Sequence, residues 1–308
     1  MEHELPKTLL EAVIYFSAAE NCSEFVKRIH WSDGNARCPE CDSSDVILMA
    51  KYQRYHCKEC RKQFSIKLGT IFEKSPLPLS KWLPVMWLMC NAKNGISSYE
   101  IARSIGVTQK TAWFMSHRIR EVMRTGTFKK LSGTVEADEV YIGGSRSNWS
   151  NSKRANTPMN RDHKIPVAAF VERGGEVVAN VINDATEETI KGEVRKNVEP
   201  EAVLYTDQSN VYRGLGSEYW HATVNHSQSE YVRGDVSTNT VEGFFGLFKR
   251  CVKGTHIHMS AFHLDRYLDE ECYRYNMRKG DDRARFETAA PQILGRRLTW
   301  NELTGKAL

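Results

Sequence analysis

Val135-Glu136-Ala137-Asp138-Glu139-Val140-Tyr141-Ile142-Gly143-Gly144 sets three carboxylates inside a β-type run that stops at two glycines. On a strand Glu136 and Asp138 face one way and Glu139 the other. A second acid, Asp207, ends the strand-like Val203-Leu204-Tyr205-Thr206-Asp207. A third, Glu242, lies in the helical Asn239-Thr240-Val241-Glu242-Gly243-Phe244-Phe245-Gly246-Leu247-Phe248-Lys249-Arg250. Sixty-eight residues separate Asp138 from Asp207, and 34 separate Asp207 from Glu242. Lys249 follows Glu242 by seven residues, two helical turns, and so shares its face. Carboxylates converging from a central strand, a neighbouring strand and a helix can hold two divalent cations about 3.5–4 Å apart, the clamp used for in-line phosphoryl displacement. Hard oxygen ligands favour magnesium or manganese over zinc. Such grouped charges repel, which raises at least one pKa. Taken singly, each of these acids reads equally well as an ordinary surface residue.

The surrounding pattern supports a sheet. Runs at 134–142, 166–172, 176–182 and 202–206 have strand character, with a helix over 186–197 and further helices over 238–251 and 260–277. Three strands, a helix, a strand and later helices describe an α/β nuclease-like sheet that starts as a meander. The segment from Gly143 to Lys164, rich in Ser, Asn, Arg and Lys, reads as a mobile loop. Upstream, apolar spacing predicts two helices within 7–30. A Pro-containing link over 75–78 precedes a helix capped by Ser80 and running to Cys90, with Pro84 tolerated as a first-turn residue. Two more helices are expected over 97–105 and 108–125. The chain is therefore multidomain: N-terminal helices (1–30), a cysteine-rich module (31–74), a helical DNA-binding domain (75–130), the acid-bearing α/β domain with its C-terminal helices (131–280) and a tail (281–308).

Cys38-Pro39-Glu40-Cys41 and Cys57-Lys58-Glu59-Cys60 are separated by fifteen residues. Two such knuckles supply the four soft ligands of a closed tetrahedral zinc site, which leaves no position for substrate and is structural. Around the second pair, Tyr52, Arg54, Tyr55, Lys58, Arg61, Lys62, Phe64 and Lys67 interleave cations with aromatics, as phosphate contact and base stacking require. A solvated ribbon surface would have the same composition.

Ser97-Ser98-Tyr99-Glu100-Ile101-Ala102-Arg103-Ser104-Ile105-Gly106-Val107-Thr108-Gln109-Lys110-Thr111-Ala112-Trp113 has a helix-turn-helix layout, with Ala102 permitting close packing, Gly106 turning and Thr108 capping. Gln109, Lys110 and Thr111 would then face bases from the start of the second helix, and His117, Arg118 and Arg120 would contact the backbone. A plain helical hairpin remains the alternative.

With 41% hydrophobic, 26% charged and 10% aromatic residues in 308, the chain is globular, and disorder and collagen-like repeats are excluded. Its net charge of +5 is uneven: residues 1–130 carry +7 and the remainder −2. The most apolar stretch, Trp82 to Cys90, is far shorter than the roughly 20 residues of a membrane span. No basic leader precedes an apolar segment, so a cytoplasmic, reducing compartment and no membrane partner are expected.

Taken together, these motifs resemble a prokaryotic DDE transposase, and the nearest pattern is insertion-sequence family fifteen-ninety-five with its ISXO-type catalytic domain. The resemblance runs from about Ala36 to Arg278. It rests on the 135–144 run, on Tyr205-Thr206-Asp207, on Asn239-Thr240-Val241-Glu242-Gly243-Phe244-Phe245 and on Tyr273-Arg274-Tyr275-Asn276-Met277-Arg278. It implies a ribonuclease-H-like domain that cleaves the ends of its element and joins the 3′-hydroxyls to target DNA. Asp138 would lie between two magnesium or manganese ions, Asp207 would be the second ligand and Lys249 would touch the terminal phosphate. Family members carry either glutamate or asparagine as the third ligand. Glu242 is favoured over Asn239, three residues away on the same helix, because a carboxylate holds a hard cation more strongly. DNA, as terminal repeats and target, is the implied partner, with a homodimer or larger assembly on it and a nucleoid location. The C-terminal segment, with His256, His258, His263, Arg266, Tyr273, Arg274, Asn276 and Arg278, is expected to contact DNA or order a loop, and His226 to lie near the active site or to cap an element. A nuclease without strand transfer and a DNA-binding regulator with an inert triad are the competing readings.

Overall fold

The computed structural model describes every residue except 1–3, 125–128, 144–151, 153–163, 226–227, 229, 231, 258 and 307–308. The loop expected over 143–164 therefore falls almost wholly outside the described residues, as do His226 and His258. The chain forms two compact units, residues 1–124 with 277–308, and residues 125–276.

In the first unit, α1 (Leu9–Ser17) begins on a capping box in which Thr8 and Glu11 satisfy each other's backbone N–H, and α2 (Ala19–His30) follows directly. Strands β1 (Val46–Met49), β2 (Arg54–Cys57) and β3 (Gln63–Phe64) make an antiparallel sheet of three. The helix expected from Ser80 is α3 (Leu79–Asn91), and its cap is Pro78, whose extended backbone (φ −67°, ψ 154°) delivers Leu79 as the first helical residue. Pro84 thus lies beyond the first turn and denies the Ser80 carbonyl its helical donor. Burial on nearly every side keeps α3 intact, since Trp82, Leu83, Val85, Met86, Trp87, Met89 and Cys90 are all inside.

Next, α4 (Ser98–Ile105) starts on a Ser97–Glu100 capping box and stops at Gly106, whose φ of 62° only glycine adopts cheaply. Thr108 caps α5 (Gln109–Met123) by accepting from the Thr111 N–H.

The second unit is built on a five-stranded mixed sheet. Its strands are β4 (Thr134–Ile142), β5 (Ile165–Glu172), β6 (Val177–Val181), then, after α6 (Glu187–Asn197), β7 (Val203–Asp207) and β8 (Trp220–Val224). The spatial order is β6-β5-β4-β7-β8, antiparallel through the first three and parallel from β4 outward. A small hairpin of β9 (Val232–Arg233) and β10 (Val236–Ser237) leads into α7 (Asn239–Arg250), which passes through a π-helical turn at Cys251–His256 before α8 (Leu264–Asn276). Alternation along the strands splits the core. Val135, Ala137 and Leu204 pack with Ile190 and Val194 of α6, whereas Val167, Ala169 and Val171 pack with Phe244 and Phe248 of α7 and Leu268 of α8.

The C-terminal residues rejoin the first unit through α9 (Asp282–Ala289) and α10 (Trp300–Leu303). Phe286 of α9 meets Phe16, Phe25 and Trp87 with ring centroids 5.0–5.7 Å apart. Residues 281–308, expected to form a tail, thus supply a central side chain of the first unit's core.

Candidate functional site

Each cysteine pair sits on a knuckle of the same construction. The N–H of Cys38 donates to the Ser43 carbonyl and that of Cys57 to the Lys62 carbonyl, five residues on in both cases. The residue after each second cysteine, Asp42 and Arg61, is left-handed, with φ of 57° and 60°. The folds of the two knuckles turn Cys38, Cys41, Cys57 and Cys60 toward one point, their sulfurs within 4.8 Å of one another. Cross-pair spacings are 3.5 Å (Cys38–Cys60) and 3.6 Å (Cys41–Cys57). Tetrahedral zinc with Zn–S bonds of about 2.3 Å separates its sulfurs by roughly 3.8 Å, so the four ligands fit a structural zinc ion.

Of the residues proposed to read DNA here, Arg54, Lys58, Arg61 and Lys62 are exposed. Lys58 and Lys62 pair with Asp45 and Glu40 at 2.7 Å, exposed contacts weak enough to exchange for phosphate. Of the expected aromatics Tyr52 is exposed, but the other two are not available to bases. Tyr55 and Phe64 are buried and stack on each other with centroids 5.3 Å apart, forming the ribbon's own core. Lys67 is also used internally, donating to the carbonyls of Ser75 and Leu77.

On α5, Lys110 is exposed beside Gln109 and Thr111, with its ammonium 4.5 Å from the centre of the Trp300 ring. Gln109 donates to the Ser98 hydroxyl, and Thr111 shares a hydrogen bond with Thr108. His117, Arg118 and Arg120 were expected to face DNA but are buried. The Arg118 guanidinium donates to the carbonyls of Leu298 (2.9 Å) and Glu73 (3.0 Å), tying α5 to the C-terminal segment. The helical spacing that suggested these contacts is that of the inward face.

The acids come together in the second unit. The parallel ladder pairs Glu136 with Tyr205 as its last register position. Continued by two residues, that register sets Asp138, midway along β4, level with Asp207, the last residue of β7, with the same pleat direction. Asp138, Glu139, Val140, Asp207, Glu242, Phe245, Gly246 and Lys249 line one cavity of about 340 Å³. Glu242 accepts a hydrogen bond from the Thr238 hydroxyl at 3.0 Å. Lys249 shares the cavity, as its two-turn spacing predicts. Asn239 is exposed at the first position of α7 and does not line the cavity.

Burial, then the neighbouring Glu139, and then Asp207 and Glu242 push the Asp138 carboxyl up to about 7. The Glu139 carboxyl is also raised, mainly by burial, although the buried Tyr212 hydroxyl donates to it at 2.6 Å. Carboxylates that raise one another's pKa in a half-buried cavity form a donor set whose repulsion a hard divalent cation relieves, so these residues fit such an ion. Alternation along β4 turns Glu139 away from Asp138, which argues against a shared site, yet both side chains line the same cavity. A larger groove of about 630 Å³ runs past Trp220 and His221. Of its two glutamates, Glu201 and Glu218, the latter is held by Arg195 at 2.7 Å.

Of the C-terminal side chains expected to contact DNA or order a loop, Arg274, Asn276 and His256 have internal partners. Arg274 is buried between Glu270 and Glu271. The Asn276 side chain accepts from the Val177 N–H at 2.7 Å and donates to the Val177 carbonyl at 3.0 Å, completing the edge of β6. The His256 ring packs on Tyr267 with centroids 4.6 Å apart.

Comparison with known proteins gives a consistent answer. Residues 130–276 match the family model of the ISXO2-like transposase domain, and residues 19–63 that of the transposase zinc-ribbon domain. Over 251 residues the chain is 29% identical to an uncharacterized protein in transposable element ISH50 of Halobacterium salinarum, an alignment covering 76% of this chain and 83% of that one. A chain in the crystal structure of a pre-cleavage Mos1 transpososome is similar at 11% identity and a TM-score of 0.27, over 68% of this chain and 75% of that chain, a likeness too slight to carry an argument. Among the described residues no helix is long and apolar enough to cross a membrane.

Proposed function

The chain belongs to insertion-sequence transposase family fifteen-ninety-five, and from that premise we propose that it binds the ends of its element, cleaves them and joins the freed 3′-hydroxyls to target DNA. The observation that carries this reading is the single cavity lined by Asp138, Asp207, Glu242 and Lys249, from two adjacent parallel strands and one helix. The strand order supports a ribonuclease-H-like domain: three antiparallel strands with two parallel ones added beside the first.

In this reading Asp138, Asp207 and Glu242 hold two magnesium or manganese ions, and Asn239 is left outside the ligand set. Bound there, the ions would activate the attacking water or 3′-hydroxyl and stabilise the leaving oxygen. The chain's own contribution is positional. Two adjacent parallel strands and one helix set the acids around the phosphodiester, and Lys249 offers a cation to the scissile or terminal phosphate. Glu139, held by Tyr212, contributes negative charge that draws cations to the cavity.

Sequence reading is assigned to the first unit. Helices α4 and α5, joined at Gly106, act as a helix-turn-helix that presents Gln109, Lys110 and Thr111, while Arg54 and Arg61 of the ribbon contact phosphates. Two element ends must be processed together, so at least a homodimer assembles on DNA. The test is movement of a marker placed between the DNA ends flanking the gene. Wild type should move it, and Glu242→Gln should abolish movement. Loss with Asn239→Ala and not with Glu242→Gln would reassign the third ligand. End binding by wild type with no movement would instead leave a nuclease or a regulator.

A further inference from the structure

Beneath the acid cavity lies a further carboxylate that the cavity does not use. Glu136 sits on β4 two residues before Asp138, fully buried, with both oxygens engaged. One oxygen accepts from the backbone N–H groups of Thr240 (2.6 Å) and Val241 (3.1 Å). The other accepts from the Thr240 hydroxyl (2.9 Å) and Arg173 Nε (2.7 Å). The helix α7 has no side-chain cap of its own at Thr238. Its opening N–H groups are satisfied instead by a glutamate 104 residues upstream, whose charge also suits the positive end of the helix dipole.

Arg173 extends the connection. Its guanidinium donates to the Asp235 carbonyl (2.7 Å) and to the Ser237 hydroxyl (2.7 Å) and carbonyl (3.2 Å), gripping the hairpin that enters α7. The same guanidinium lies 4.8 Å from the centre of the Tyr205 ring, and Tyr205 is two residues before Asp207. Glu136 and Tyr205 are themselves register partners. Every element that carries a cavity acid is therefore held one step from that acid: β4 at Glu136, β7 at Tyr205, and α7 at Thr240 and Val241, just ahead of Glu242.

We propose that Glu136 and Arg173 are positioning residues that set Glu242 at the height of Asp138 and Asp207, so that the three acids bind divalent cations as one site. This rests on the catalytic reading of the cavity. Glu136 does not line the cavity, and its lone pairs are already committed, so it acts through α7 and not as a ligand. A glutamine is an isosteric but disruptive replacement. Whichever way its amide is oriented, an NH2 group meets either the Thr240 and Val241 N–H groups or Arg173 Nε, donor against donor.

The test is Mn2+ binding to the zinc-loaded full-length protein, followed by the electron paramagnetic resonance signal of free Mn2+, with melting temperature recorded in parallel. Wild type should bind, and Asp138→Asn should lose binding. Glu136→Gln should weaken Mn2+ affinity about tenfold in protein that is still folded, and Arg173→Lys, a milder change at a partly exposed side chain, about threefold. In a Glu242→Gln background, Glu136→Gln should add no further loss of affinity, because the acid it positions is gone, although its effect on melting should persist. Unchanged Mn2+ affinity in folded Glu136→Gln, or in Arg173→Lys should the first variant not fold, would overturn the proposal and leave the catalytic reading intact. Additive losses in the Glu242→Gln background would also overturn it. Mn2+ binding that ignores Asp138→Asn would remove the catalytic reading, and this inference with it.

Discussion

The zinc ribbon and the acid cavity gather their side chains in opposite ways. The ribbon gathers its four sulfurs from a stretch of 23 residues, Cys38 to Cys60, by repeating one local knuckle. The acid cavity gathers its carboxylates from positions 104 residues apart, Asp138 to Glu242, and only a completed sheet and helix bring them near one another. A ribbon this small has little core beyond the stacked Tyr55 and Phe64, so its ligands need the ion to fold. The cavity belongs to a unit with two full hydrophobic layers, which folds on apolar burial and carries the acids as a cost. Side chains whose ion stabilises a fold and side chains whose charges strain it should respond to perturbation with opposite signs.

The largest effect expected is on the ribbon. Because zinc binding supplies folding free energy on the order of 10 kcal/mol in such modules, Cys57→Ser or a strong chelator should unfold residues 31–74, seen as loss of slow amide exchange there. A ribbon that keeps its protection without zinc would break the contrast. Next comes catalysis: Asp138→Asn or Asp207→Asn should lower end cleavage by roughly a thousandfold or more, judged from the size of preorganised electrostatic contributions. Gel-shift affinity for the same ends should be nearly unchanged. Substantial residual cleavage would remove the substituted acid from the site.

The same Asp138→Asn change should raise stability when divalent ions are chelated. The folded-state carboxyl stands at about 7 against 3.8 ordinarily. Its favourable contribution is complete below about pH 4 and is lost as pH rises through 7, so the ionised acid destabilises the fold by about 2–4 kcal/mol above that. Asparagine should therefore increase the melting temperature at pH 8 and leave it unchanged near pH 4. An equal effect at both pH values would place its cause elsewhere. The smallest effects distinguish the two faces of α5. Lys110→Ala should weaken end binding by about 1 kcal/mol, with a shallower salt dependence. Arg118→Ala should leave binding alone and cost roughly 1–3 kcal/mol of stability by stranding the carbonyls of Glu73 and Leu298. Reversed roles would mean that α5 reads DNA with its other side.

Legibility followed the range of the interactions. The expected bounds of β4, 134–142, match the structure because two-residue alternation is written into the strand itself. The capping of α5 by Thr108 is equally local. Strand β8 was missed because Trp220-His221-Ala222-Thr223-Val224 lies at the sheet edge, with Trp220 exposed and no clean alternation of burial. Arg118, Tyr55 and Phe64 were placed on the surface because composition records what a side chain can do and not where it points. Glu136 was the deepest omission. Its partners begin 104 residues away, and nothing near it distinguishes a buried cap from a cavity acid.

The C-terminal return has a consequence for the order of synthesis. Phe286 inserts between Phe16, Phe25 and Trp87, so a nascent chain translated as far as residue 276 already contains the whole second unit while the first lacks its wedge. The unit begun earliest on the ribosome is the one finished last. A product interrupted between the two points would carry a complete set of cavity acids on a molecule whose first unit lacks the Phe286 ring.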